Sequence, residues 1–256
     1  MGLFGKLLDI LIPPRCELCG ENGTKGEELC DSCRAKFVRE CFEHCPVCGK
    51  TAQNCTCGTD FTDVTHRTVG GKSFFSLTFY KSEKSFGESD RATEKLIFAL
   101  KERGAFARMF ATEICRGLGR IFSDGDEDIT EWIITYPPRS DRNFYKYGID
   151  QSETLASEMA KILGCRTART LARGSRSVEQ KTLSARERKT NAESTLIPLR
   201  NRIEDGGKYI LVDDIITSGA TVKTAAELLY SCGAATVFPV SVARTVHPSE
   251  IIETDE

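Results

Sequence analysis

The run from Tyr209 to Thr221 reads Tyr-Ile-Leu-Val-Asp-Asp-Ile-Ile-Thr-Ser-Gly-Ala-Thr, and it constrains the fold of this 256-residue chain more than any other segment. An apolar strand runs into two adjacent acids. A loop of small and hydroxyl-bearing residues follows, and a helix begins near Thr221. The order is that of a phosphate cradle with a sugar clamp in front of it. Short side chains at Thr217, Ser218, Gly219, Ala220 and Thr221 let backbone N–H groups turn inward, and the helix start points its positive end at the same place. Asp213 and Asp214 leave the strand end, where open α/β sheets bind ligands. Carboxylates there accept hydrogen bonds from ribose hydroxyls or hold Mg²⁺ through water. A buried strand with an ordinary βα turn explains Ile210 to Val212, but not two acids and three hydroxyls in one short stretch.

These 13 residues resemble the PRPP-binding motif of the type I phosphoribosyltransferases. The wider pattern is consistent with such a sheet. Strands are expected at Phe74–Tyr80, Trp132–Tyr136, Thr167–Leu171 and Thr236–Ala243, with Pro239 marking an edge or a bulge in the last. Helical spacing covers Ala92–Arg103, Phe106–Leu118, Gln151–Leu163 and Thr221–Tyr230. Alternating strands and helices give an α/β fold, a mainly parallel sheet with helices on both faces. Right-handed crossovers then line up the strand ends at Tyr136, Val212 and Ala243 on one rim.

Two polar segments belong near that rim. Residues 136–156 leave a strand, pass the cations Arg139, Arg142 and Lys146, turn at Gly148 and enter a helix that Asp150 caps with Glu153 as its capping-box partner. The cations suit a leaving pyrophosphate, and equally suit an ordinary surface loop. Residues 178–191, with Gln180, Lys181, Arg186 and Arg188, form a candidate mobile lid or a solvated helix-loop. Residues 135–200 carry 13 Lys/Arg against 7 Asp/Glu, so the basic charge sits beside the cradle although the whole chain has a net charge of −2.

The front of the chain follows a different pattern. Nine of the 12 Cys fall within residues 16–57, as Cys16-x-x-Cys19, Cys30-x-x-Cys33, Cys45-x-x-Cys48 and Cys55-x-Cys57, with Cys41 apart. A Cys-x-x-Cys knuckle lets two thiolates reach one ion, and two knuckles complete a tetrahedron. Structural Zn²⁺ is expected at Cys16, Cys19, Cys30 and Cys33, and a second ion at Cys45, Cys48, Cys55 and Cys57, where Cys41 and His44 are alternative ligands. Clustered pairs with no secretory signal favour metal in a reducing compartment over a disulfide scaffold. Cys115 and Cys232 fall in helical patterns as buried thiols. Residues 1–60 therefore read as a short amphipathic helix (Leu3–Ile12) plus a zinc ribbon, and 61–256 as the α/β domain. Gly71-Lys72-Ser73 is no Walker loop, because His66 stands where that motif needs Gly. No stretch is long and apolar enough for a membrane span.

Together these segments resemble the ComF family, a zinc ribbon fused to a phosphoribosyltransferase-like domain. The likeness rests on Cys16 to Cys33, Gly148 to Ala156, Gln180 to Asn191 and Val212 to Thr221. The family's middle motif, Arg-Gly-Phe-Asn-Gln, is here Tyr147-Gly148-Ile149-Asp150-Gln151, so the Arg is lost and the Asn has become Asp. The resemblance implies a cytoplasmic protein of natural transformation, with single-stranded DNA and DNA-uptake proteins as partners. Two functions stand side by side. One transfers a 5-phosphoribosyl group from PRPP with Mg²⁺ to an acceptor nitrogen. The other recognises phosphoribose and single-stranded DNA without chemistry, with Phe144, Tyr145 and Tyr147 as stacking aromatics.

Overall fold

The computed structural model describes residues 15–23, 28–57, 61, 65, 67–81, 91–174 and 196–245. The expected Leu3–Ile12 helix and the lid residues Gln180, Lys181, Arg186 and Arg188 lie outside them. Five strands form one all-parallel sheet: β1 (Phe75–Tyr80), β2 (Ile133–Thr135), β3 (Arg166–Thr167), β6 (Lys208–Ile216) and β7 (Thr236–Thr245), in the order β1-β7-β6-β2-β3. Two further strands, β4 (Leu171–Arg173) and β5 (Leu196–Pro198), pair antiparallel outside it.

Side-chain alternation builds both faces of the sheet. Ile210, Val212, Phe238 and Val240 enter one apolar cluster, while Tyr209, Leu211 and Val237 enter the other. The first cluster takes in α2 (Ala92–Arg103), α3 (Ala107–Asp124) and α5 (Gln151–Leu163) through Leu96, Phe110, Ile114 and Leu155. The second is covered by α6 (Ala220–Ser231) through Val222, Ala225 and Leu229. A parallel sheet needs cover on both faces, which is why its strands read as unbroken apolar runs rather than alternating ones.

Five expectations are corrected. The cationic stretch after Pro138 is not a loop but a short helix, α4 (Asp141–Tyr147), ended by Gly148 at φ +74°. Its first-turn Asp141, last-turn Lys146 and closing Gly are ordinary helix signals. The expected strand at Thr167–Leu171 is instead split between β3 and β4, and α3 runs on to Asp124, six residues past Leu118. Pro239 sits neither at an edge nor in a bulge, since β7 lies between β1 and β6. Pairing with β1 begins one residue later, at Phe75 opposite Val240, so on that side no ladder is broken. Asp213 and Asp214 lie within β6, which continues to Ile216, and not beyond its end.

The Cys-rich region rests on this sheet rather than beside it. Its helix α1 (Asp31–Cys41) puts Phe37 edge-on to Phe110 of α3, with centroids 5.6 Å apart. Glu40 is buried and works as a helix cap from outside. Its carboxylate accepts from Ala92 N (2.9 Å), Thr93 N (2.8 Å) and Thr93 Oγ1 (2.7 Å), at the start of α2, where Arg91 makes no side-chain cap. Arg91 in turn donates to both oxygens of Glu43 at 2.6 Å. Lys72, of the rejected Walker-like triplet, donates to Gln53 O (3.0 Å) and Asn54 Oδ1 (2.6 Å), and so ties down the turn between two knuckles. Fully buried Arg244 of β7 donates to Cys55 O and lies over the Phe74 ring.

Candidate functional site

The four sulfurs of Cys16, Cys19, Cys30 and Cys33 lie within 4.8 Å of one another, and so do those of Cys45, Cys48, Cys55 and Cys57. Sulfurs about 2.3 Å from a tetrahedral Zn²⁺ stand about 3.8 Å apart. Cys19 and Cys30 are 3.7 Å apart, and Cys48 and Cys55 are 3.6 Å apart. Both donor sets therefore fit zinc. Neither alternative ligand joins the second set. Cys41 is buried in the core, where loss of water pushes its thiol up to about 12, and His44 is not among the residues whose donor atoms converge there. Cys115 is buried in α3 as expected, whereas Cys232 lies one residue past α6 and is only half-buried.

A second centre lies at the C-terminal ends of the sheet strands, as an open cleft of about 640 Å³ lined by residues from six segments. Strand β6 supplies Asp213, and the start of α6 supplies Thr221. Arg139, Ser140, Asn143 and Tyr147 come from the segment after β2. Gln151 and Ser152 open α5, Lys101 comes from α2 and Arg173 from β4.

The acid pair is held in place by this ring. Asp213 Oδ1 accepts from Ser152 Oγ (3.2 Å) and from Asp214 N (2.9 Å). Asp214, only 5% exposed, accepts from Ile215 N (2.8 Å), from Gln151 Nε2 (3.5 Å) and, as an ion pair, from Lys101 Nζ (3.3 Å). Burial raises the Asp213 carboxyl well above the ordinary carboxylate range, and the neighbouring Asp214 charge adds to the rise. The pair gains from a cation beside it.

Gly219 precedes α6 at φ +74°, a left-handed backbone that a side chain resists. That bend turns the strand-to-helix connection so that α6 opens toward the cleft. Thr217 and Ser218 are exposed on the loop and Ala220 at the first position of α6, and Thr221 alone of the five lines the cleft. Asp150 caps α5 as expected, accepting from Ser152 N (3.1 Å) and Glu153 N (3.2 Å), and it also accepts from Arg139 N (2.6 Å). Among the described residues Glu153 does not return the bond as a capping-box partner; burial pushes the Tyr136 hydroxyl up, and the nearby Glu153 adds to the rise.

The expected cations separate. Arg139 lines the cleft, but its guanidinium is pinned by Lys101 O (2.7 Å) and Ile149 O (3.2 Å) and packs on the Tyr147 ring. Lys146 is exposed and donates to Tyr147 Oη (2.7 Å), outside the cleft lining. Arg142 belongs to α4. Two cations the sequence left unmarked stand in the cleft. Lys101 meets Asp214, and Arg173 donates to Pro138 O (2.8 Å). Burial lowers the Arg173 pKa, while Asp213, Asp150 and Asp141 pull it back. A signal for Lys101 existed, since it is one of two cations, with Arg103, in the last turn of a helix whose apolar face is Leu96, Ile97 and Leu100. No periodicity could have placed it opposite Asp214.

No described helix is long and apolar enough to cross a membrane. Residues 150–250 match the phosphoribosyl transferase domain family, and residues 7–61 match the double zinc ribbon domain. The DNA utilization protein YhgH of Salmonella typhi is 28% identical over 229 residues, which span 85% of this chain and 91% of that protein. YhgH of Escherichia coli O6:H1 is 33% identical over 113 residues, 43% of this chain and 48% of that one. Among solved structures, the glutamine PRPP amidotransferase of B. subtilis, complexed with ADP and GMP, is 16% identical over 72% of this chain and 30% of its own, with a TM-score of 0.34. The two domain matches stand in order along the chain, a double zinc ribbon domain followed by a phosphoribosyl transferase domain, and the YhgH similarity runs through both.

Proposed function

We propose that the cleft binds PRPP, or a phosphorylated ribose like it, and that the chain transfers or recognises a 5-phosphoribosyl group in the handling of DNA. The two units are taken as residues 1–60 and 61–256. One observation carries the reading. The acid pair of β6, the Gly219 bend with Thr221, and the cations Lys101, Arg139 and Arg173 belong to one strand-end site. A ribose 5-phosphate offers what each part takes: hydroxyls for Asp213 and Asp214, and a phosphate for the loop Thr217, Ser218, Gly219, Ala220 and Thr221. Arg139 and Arg173 are then left for a pyrophosphate. The carboxylate oxygens of the pair are hard donors that suit Mg²⁺, which would supply charge to the phosphates and diol when bound. Opposite charge held at the acid pair also favours the cationic sugar that develops when the C1′–pyrophosphate bond breaks. The link to DNA rests on the relatives' name, DNA utilization protein.

Recognition without chemistry is favoured by a separate observation. Tyr145 is 87% exposed and Phe144 46% exposed on α4, the helix whose Asn143 and Tyr147 line the cleft. Exposed rings beside a phosphate site suit stacking on the bases of a single strand. Tyr147 leaves that set, because Arg139 and Lys146 both occupy its ring.

Mg²⁺ with PRPP should raise the melting temperature of the zinc-loaded chain, and the double variant Asp213→Ala, Asp214→Ala should erase that rise. A rise that persists in the double variant refutes the reading. Pyrophosphate released with a nucleobase or amine acceptor marks transfer. Binding of oligo(dT) with a steep salt slope and no release marks recognition.

A further inference from the structure

Lys101 is the cation nearest the acid pair, and the reading above assigns it nothing. Its Nζ lies 3.3 Å from Asp214 Oδ2, with the Lys101 side chain 36% exposed and the Asp214 side chain 8% exposed. The ammonium thus sits on the cleft wall between solvent and a carboxylate that is itself nearly closed off from water. Its backbone is fixed. Lys101 O holds Arg139 Nη1 at 2.7 Å, and the far end of α2 is capped by Glu40. The four-carbon stem above that anchor is free to swing. Gln151 shares Asp214 Oδ2 with Lys101, yet its own Oε1 is buried with no partner among the described residues. An acceptor left open in a cleft wall is a place for a hydroxyl or an ion-bound water.

We propose that Lys101 is the resident counter-ion of Asp214, and that it makes the cleft select a divalent cation arriving together with a pyrophosphate-bearing ligand over the bare cation. This rests on the reading that the cleft takes a phosphorylated ligand. A bare dication at Asp214 must either displace the ammonium or sit against it, and both oppose binding. A pyrophosphate reverses the sign, because it gives Lys101 a new anionic partner on the wall that already holds Arg139 and Arg173. Once the ammonium has turned to the phosphates, Asp214 is free for the cation. Cation and anion then help each other bind, and the coupling runs through one side chain.

The test is a Mn²⁺ titration of the zinc-filled chain, followed by electron paramagnetic resonance, first alone and then with inorganic pyrophosphate. Mn²⁺ prefers oxygen ligands and leaves the thiolate sites to zinc. Lys101→Met should bind bare Mn²⁺ several-fold more tightly than the unaltered chain, and pyrophosphate with Mn²⁺ about tenfold more weakly. Lys101→Arg should restore the original order of affinities. Opposite changes in the two titrations cannot come from a damaged fold, which would weaken both. Unchanged or weaker Mn²⁺ binding in Lys101→Met overturns the proposal, as does Mn²⁺ binding that Asp214→Asn leaves intact. Failure of the ribose reading looks different: PRPP binds no better than pyrophosphate, while both Lys101 effects remain.

Discussion

Between Cys16 and Cys57 the buried apolar side chains besides Cys are Leu29, Phe37 and Ala52, whereas the sheet region buries apolar residues on both of its faces. One part is held by a few strong joints, the other by many weak contacts. The joints are two sets of thiolates, the Glu40 cap, the Lys72 strap and Arg244 against Cys55. A region with that little core draws its folding energy from metal. The sheet does not, and its site residues sit on strand and helix ends that the core already fixes. Damage should therefore be large and local in the ribbon, and small in stability but large in binding at the cleft.

The largest effect expected is from zinc removal. Structural zinc is worth on the order of 10 kcal/mol to a small ribbon. A chelator should release two ions per chain and strip residues 16–57 of hydrogen-exchange protection, while β6 and β7 keep theirs. A ribbon that stays protected without metal would break the contrast outright. Next comes Glu40→Ala, which leaves two buried N–H groups of α2 without acceptors. The cost should be about 3 kcal/mol, seen in calorimetry as a fall of roughly 10 °C. Zinc content should stay at two, because the joint and the metal sites are separate.

Legibility in the sequence follows the same division. Knuckle spacing is local chemistry, so both sets of four Cys could be read directly, as could the acid pair, the Gly219 bend and the Asp150 cap. Parallel pairing and two covered faces followed from the alternation of strands and helices. What could not be read was contact across long sequence distances. Lys101 meets Asp214 from 113 residues away, and Glu40 caps a helix 52 residues on. Neither leaves a periodic trace. Lys146 is near Arg139 in sequence, yet it lies on an exposed turn of α4 against Tyr147. Pro239 misled because a strand proline is judged by its neighbours, and only the sheet order shows where pairing with β1 begins.

Smaller effects belong to the cleft. Gly219→Ala forces a side chain onto φ +74°, at about 1 kcal/mol. Urea titration should show that loss with an unchanged slope. The thermal rise with Mg²⁺ and PRPP should fall by far more than the stability does. Equal loss in both would make the bend a structural turn and nothing else.

Asp213→Asn should move stability upward. Burial and the Asp214 charge raise the Asp213 carboxyl in the folded chain, so in the window between its ordinary value near 4 and that raised value the folded state holds more protons than the unfolded one. Stability therefore falls as pH rises through the window, and above it the full cost is present. An amide keeps an oxygen for Ser152 Oγ and carries no charge. The variant should gain about 0.5–2 kcal/mol at pH 7, shrinking toward zero as the pH approaches 4, by urea midpoints at both values. The thermal rise with PRPP should vanish in it. A stability trade of that sign marks a carboxylate kept for binding at the expense of the fold, and a variant that is less stable at pH 7 would make Asp213 one more structural joint.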